Sequence, residues 1–186
     1  MSNTTRTPKK TRMIFPAFIA AALTLMATAC SAVVTTFTDP STSAEVIRMS
    51  GNRLAGGFKT LELNAQRFLK EGNPSFSLFV VYRGPSFMEV AAGQSLVLEI
   101  DGRRVELNGR GSKDHRVPIS IGLVEETSYY HDVAPDLLRD LASSTEVTVV
   151  LRGDSGTLKR RFSKKNFEAF RRFWEQAGSG LDPAGK

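Results

Sequence analysis

Cysteine occurs once in the 186 residues, at Cys30, and histidine twice, at His115 and His131. One thiol excludes an internal disulfide framework. Two histidines leave a zinc centre dependent on carboxylates gathered from distant parts of the chain, and no spacing argues for that. Acid is also short, with 19 Asp and Glu against 25 Lys and Arg. Internal repeats and low-complexity arrays are absent. Neither a cofactor nor a metal is expected.

Much of the excess base lies at the start. Arg6, Lys9, Lys10 and Arg12 precede a charge-free segment from Met13 to Ala29 that ends in small residues. This is the three-part layout of a secretory signal. Through Ala27-Thr28-Ala29-Cys30 the leader resembles a bacterial lipoprotein signal, in which a large aliphatic residue, two small residues and cysteine direct a diacylglyceryl group onto the cysteine before cleavage. Ala27 stands where that family has leucine, with Leu25 and Met26 just upstream. The resemblance implies lipidation of Cys30 and attachment to the membrane through two or three acyl chains, each buried methylene contributing about 0.8 kcal/mol. Ser31 stands where an aspartate signals inner-membrane retention, so the resemblance favours the outer membrane in a Gram-negative source. Two alternatives use the same residues. Ala27-Thr28-Ala29 fits cleavage by ordinary signal peptidase, and Met13–Val34 is long enough for an uncleaved span. Removing residues 1–29 takes Lys and Arg from 25 to 21 and no acid, which lowers the net charge from +6 to +2. The basic balance is therefore partly the leader's, and nucleic acid is not an expected partner.

Four regions are expected: a signal peptide over 1–29, the lipidated cysteine and a tether over 30–44, one globular domain over 45–178 and a disordered tail over 179–186. Ser31–Ala44 is rich in Thr and Ser and reads as a spacer, although a first strand has room to begin within Val33–Thr38. Residues 45–68 read as two strands around a turn. Phe76, Leu78, Val80 and Tyr82 alternate with Ser77, Phe79, Val81 and Arg83 in a run apolar on both faces, the pattern of a buried strand ended by Gly84-Pro85. Asp101-Gly102 is the strongest hairpin signal, and Gly153-Asp154-Ser155-Gly156 marks a second. A strand is expected over Leu123–Tyr130. Pro135 opens a helix over about 134–142. Ser163 caps another over 164–177 whose Phe167, Phe170, Phe173, Trp174 and Ala177 form a core stripe, with Gly178 stopping it. The fold class is α+β: a mainly antiparallel β sheet or sandwich with two helices.

Candidate chemistry is sparse. Gly153-Asp154-Ser155-Gly156 resembles the stretch around the nucleophile of trypsin-like serine proteases over four residues only, and a tight turn explains it better. Gly51–Thr60 places Gly57 and Phe58 where a phosphate-binding loop needs Lys and Ser or Thr. Glu125 and Glu126 are neighbours on a strand and point to opposite faces, so they are not a facing acid–base pair. His115 reads as an exposed loop residue. Tyr130, His131 and Asp132 are a possible hydrolytic trio; the simpler expectation has one tyrosine packing inward while His131 and Asp132 lead into the next helix.

One surface feature is basic. Lys159, Arg160, Arg161, Lys164, Lys165, Arg171 and Arg172 lie close in sequence with Glu168 the one acid among them. Arg171 and Arg172 suit the negative end of a helix dipole. Lys164 and Lys165 fall in the first turn, where cations are disfavoured by about 0.3–1 kcal/mol each. Lys159, Arg161, Lys164 and Lys165 are thus the candidate site for an anionic partner, such as a lipid headgroup or an acidic envelope protein or polymer. The leading expectation is a membrane-anchored envelope lipoprotein that binds or assembles rather than catalyses. The alternatives are a periplasmic or surface hydrolase using Tyr130, His131 and Asp132, and a purely structural envelope component. The globular part, Glu45–Gly178, resembles no family from which an activity follows.

Overall fold

A computed structural model of the chain describes residues 32–179 and Leu181. The expected leader, Cys30 and most of the expected tail lie outside the described residues. Eleven strands and two helices follow one another as β1 (Val33–Thr38), β2 (Glu45–Ser50), β3 (Arg53–Leu54), β4 (Thr60–Lys70), β5 (Asn73–Gly84), β6 (Ala92–Ile100), β7 (Arg103–Arg110), β8 (Arg116–Ser120), β9 (Leu123–Tyr130), α1 (Pro135–Ser143), β10 (Val147–Gly153), β11 (Gly156–Arg161) and α2 (Lys164–Ala177). One sheet runs β1-β2-β4-β5-β9-β8, with β3 also paired to β4, and the other runs β11-β10-β6-β7. All pairings are antiparallel, and the sheets curl into a half-barrel. The fold is α+β and mainly antiparallel β.

Alternation explains the longest hairpin. On β4, Leu61, Leu63 and Ala65 face the core; on β5, Phe76, Leu78, Val80 and Tyr82 do the same. The opposite face is shielded as well, because Asn64, Phe79, Gln66 and Ser77 are all buried. The run apolar on both faces is thus a strand buried on both sides. Glu71 and Gly72, at φ 52° and 81°, form the two-residue turn between β4 and β5, and Asp101-Gly102 repeats that conformation at φ 44° and 84° between β6 and β7. Both residues left-handed is the turn whose twist matches paired strands.

The helices close the core. Leu137, Leu138, Leu141 and Ala142 on α1, and Phe167, Ala169, Phe170, Phe173 and Ala177 on α2, are buried together with inward residues of both sheets. Asn166 Oδ1 accepts from the Ser163 N–H at 2.8 Å and from its hydroxyl at 2.7 Å, fixing the start of α2. Arg171 and Arg172 stand ahead of the last turn. Their guanidinium groups donate to Ala142 O and Ala32 O, while the carbonyl of Ala177 takes its cation from Arg67 at 2.9 Å. The dipole expectation for Arg171 and Arg172 is therefore replaced by contacts to other segments.

Three local differences from the sequence expectation have physical causes. Val33–Thr38, inside the stretch expected as a tether, is a full strand paired from Val33↔Ser50 to Thr38↔Glu45. Its threonines suit a strand as well as a linker. Residues 45–68 hold three strands instead of two, because one extra residue at Gly51-Asn52 separates β2 from β3 while both pair with β4. Arg116–Ser120 forms β8 against β9 despite Pro118, which an edge strand tolerates.

Candidate functional site

A buried polar seam crosses the larger sheet. Asn166 Nδ2 donates to Asn52 Oδ1 at 2.7 Å, and the Asn52 N–H donates to Asn64 Oδ1 at 3.0 Å. Asn64 Nδ2 reaches Glu62 at 3.4 Å, and Arg83 then joins Glu62 at 2.5 Å to Glu125 at 2.6 Å. Burial works against the charge on Arg83, but the two carboxylates outweigh it and its pKa is raised. Each group is occupied by its neighbours, so the seam is a fastening between α2 and the sheet. Glu126 points the other way, as strand alternation requires, and accepts the N–H groups of Met88 and Glu89 at 2.9 Å each. It holds the β5–β6 connection over the core.

The hydrolytic trio does not converge. Tyr130 is fully buried, its hydroxyl 2.9 Å from Ser95 Oγ, and burial raises its pKa. His131 follows β9 on its other face, stacked on Tyr129 with ring centroids 6.1 Å apart and Nδ1 3.2 Å from Ser77 Oγ. Asp132 is exposed in a left-handed conformation at φ 56°, turning the chain towards α1. His115 stands edge-on to the same Tyr129 at 5.3 Å, Phe79 stacks on it at 5.6 Å, and Arg48 covers Phe79 at 4.6 Å. Both histidines thus belong to one aromatic row on the face of the larger sheet away from the core. Among the described residues no three His, Cys, Asp or Glu side chains gather as a metal site, and no helix is long and apolar enough to cross a membrane.

The basic candidates fall into two pairs. Lys159 and Arg161 alternate on β11 and meet Glu99 at 3.0 Å and Glu146 at 3.9 Å. Lys164 and Lys165 occupy the first turn of α2, where Lys164 lies 4.0 Å from Glu168 and Lys165 borders a shallow cleft of ≈ 420 Å³ with Glu168, Arg171, Arg172 and Glu175. Arg160 turns away from Lys159 and Arg161. It crosses Gly56 and donates to Lys59 O at 2.8 Å, tying the basic strand to the β3–β4 loop.

Sequence reasoning missed the exposed apolar residues. Val33 and Phe37 on β1, Val117 and Ile119 on β8, Phe58 in the β3–β4 loop and Ile121 in the β8–β9 turn all stand in solvent. For Phe58, Val117, Ile119 and Ile121 the signal was the lack of any acid in the surrounding stretch: Arg53–Leu61 and Arg116–Val124 contain none. No family model matches the chain, and no curated protein or solved structure matches it either.

Proposed function

We propose that the chain is an exported lipoprotein of the cell envelope, held to a membrane by lipid on Cys30, whose folded domain is a non-enzymatic binding or assembly module. The observation that carries this reading is the outer edge of β1. Among the described residues the two sheet paths end at β1 and β8 and at β11 and β7, and the two-residue β3 pairs only with β4. Arg116 and Pro118 protect β8, Lys159, Arg160 and Arg161 protect β11, and Arg103, Arg104 and Arg110 protect β7. Charge and proline are the usual guards against unwanted strand pairing. The sequence of β1, Val-Val-Thr-Thr-Phe-Thr, has neither, and Val33 and Phe37 are exposed along it. An unguarded strand offers backbone N–H and C=O groups to an extended segment of a partner. It begins three residues after the cysteine expected to carry the lipid. Hydrolysis by Tyr130, His131 and Asp132 gains no comparable support, because the Tyr130 hydroxyl is enclosed in the core.

The test is site-specific photo-cross-linking in cells, with the reactive residue at Phe37 and, for comparison, at Glu71 in the exposed β4–β5 turn. A discrete adduct with one envelope partner is expected at Phe37 alone, and Thr35→Lys should abolish it while thermal stability is retained. Equal labelling at both positions, or an adduct indifferent to Thr35→Lys, would remove the edge from the model and leave a purely structural role.

A further inference from the structure

One end of the larger sheet gathers features that the core does not use. Its ladder places Thr60, Arg83, Glu125 and Val117 in one row. Beyond that row the β3–β4 loop projects with Phe58, 74% exposed, and the β8–β9 turn with Ile121, 105% exposed. The strands carrying them, β4 and β9, are separated only by β5, so these strands lie about 10 Å apart, at about 4.8 Å per strand, and both tips project from the same end of the sheet. The opposite end of the same sheet carries the Glu71-Gly72 turn.

β1 also begins at its end nearer Phe58. β1 runs from Val33, opposite Ser50, to Thr38, opposite Glu45 and thence Leu69 near the Glu71 turn, so it leads away from Phe58. Ala32 is already buried, with its carbonyl held by Arg172. Cys30 is two residues before Ala32, which allows a separation of at most about 7 Å. A lipid on Cys30 would therefore bring the folded domain itself to the bilayer. Cations outnumber acids at this end: Arg53 and Lys59 lie either side of Phe58 in the chain, Arg160 is bound to the carbonyl of Lys59, and Lys164 and Lys165 begin the helix whose Asn166 is bonded to Arg53 O, while Glu62 and Glu125 are both taken up by Arg83 and Glu168 stands 4.0 Å from Lys164. Exposed apolar tips within a basic surround match the chemistry of an anionic bilayer surface, where aromatic and aliphatic side chains enter the interface and Lys and Arg meet headgroups.

We infer that this end of the domain docks on an anionic lipid surface, with Phe58 and Ile121 entering the interface and Lys59, Lys164 and Lys165 facing the headgroups. The inference rests on membrane attachment at Cys30 for its setting, yet predicts an affinity of the domain's own. The full chain, reconstituted into vesicles of phosphatidylcholine with or without phosphatidylglycerol, is labelled with an environment-sensitive dye at Phe58→Cys, Ile121→Cys or, at the far end, Glu71→Cys. On anionic vesicles, positions 58 and 121 should be several-fold less open to iodide than position 71, and quenched by brominated acyl chains. In the Cys30→Ala chain the same shielding should persist on anionic vesicles, and Lys164→Glu with Lys165→Glu should weaken it at least about thirtyfold, as expected for the loss of two surface cations. A vesicle-bound chain with all three labels equally open to iodide overturns the docking and leaves the anchor standing. Shielding without acylation of Cys30 does the reverse. Labels shielded from iodide but blind to brominated lipid assign this end to a protein contact and overturn the inference.

Discussion

Asp101 serves two structures at once. It takes the left-handed first position of the β6–β7 turn, and its carboxylate accepts the Glu146 N–H at 2.8 Å and the Thr145 N–H at 3.1 Å, tying that turn to the start of β10. The Glu146 N–H bond is the main cause holding its pKa below the ordinary value; burial opposes it, and the two Thr145 bonds add to it. A lowered folded pKa gives stability that is present above the unfolded pKa and lost as pH falls through the folded one. Asparagine tolerates the same backbone conformation and keeps one acceptor without titrating. The Asp101→Asn chain should therefore lose less melting temperature than the parent between about pH 5 and pH 2, as followed by circular dichroism. Equal acid sensitivity would show that Asp101 is not among the groups responsible.

Between elements, Asn166 is the joint with most partners, because one side chain fixes the first turn of α2 and reaches both Asn52 and Arg53. Asn166→Ala removes a cap and leaves the buried Asn52 Oδ1 unpaired, a loss of about 2–3 kcal/mol. Asn166→Asp should be similarly destabilising: it keeps the acceptor for Ser163 but sets an oxygen against Asn52 Oδ1, which cannot turn because Asn52 Nδ2 is committed to Leu63 O at 2.9 Å. Urea unfolding at unchanged m-value measures both, and a loss below about 0.5 kcal/mol would mean the joint carries little. Elements of this kind divide by how local their cause is. Asp101-Gly102, Ser163 and the phenylalanine stripe of α2 were legible in the sequence because turn chemistry, capping and helical spacing act within a few residues. That one tyrosine packs inward at this strand end was expected as well, and the structure makes it Tyr130. β1 was obscured because threonine and serine serve strand and linker alike, and β8 because proline and charge mark an edge as readily as a loop. The Arg83 bridge was out of reach, since Glu62 and Glu125 come to it from 21 and 42 residues away. So were the tips Phe58 and Ile121, whose meeting at one end depends on the order of strands.

For the whole molecule the first matter is its attachment. With β1 beginning at Val33 and Ala32 buried, the spacer between a modified Cys30 and the folded domain is too short to let the domain range freely. The proposed anchor predicts that intact-mass analysis of protein from fractionated membranes finds a mature N-terminus at Cys30 carrying acyl groups, and that Cys30→Ala abolishes this form. An unmodified chain starting at Cys30, or an uncut one starting at Met1, would replace the lipid anchor with a released protein or a spanning segment respectively.

The bond from Arg172 to Ala32 O joins positions 140 residues apart, and α2 brings Phe167, Phe170 and Phe173 to a core whose first members lie before residue 50. During synthesis, successive strands have neighbours to pair with as they emerge, but the interior lacks its largest aromatic face until almost the entire chain is out. The core is therefore complete only with α2 in place. In a chain exported unfolded, as proposed above, such an order would leave the interior open until α2 had followed the strands.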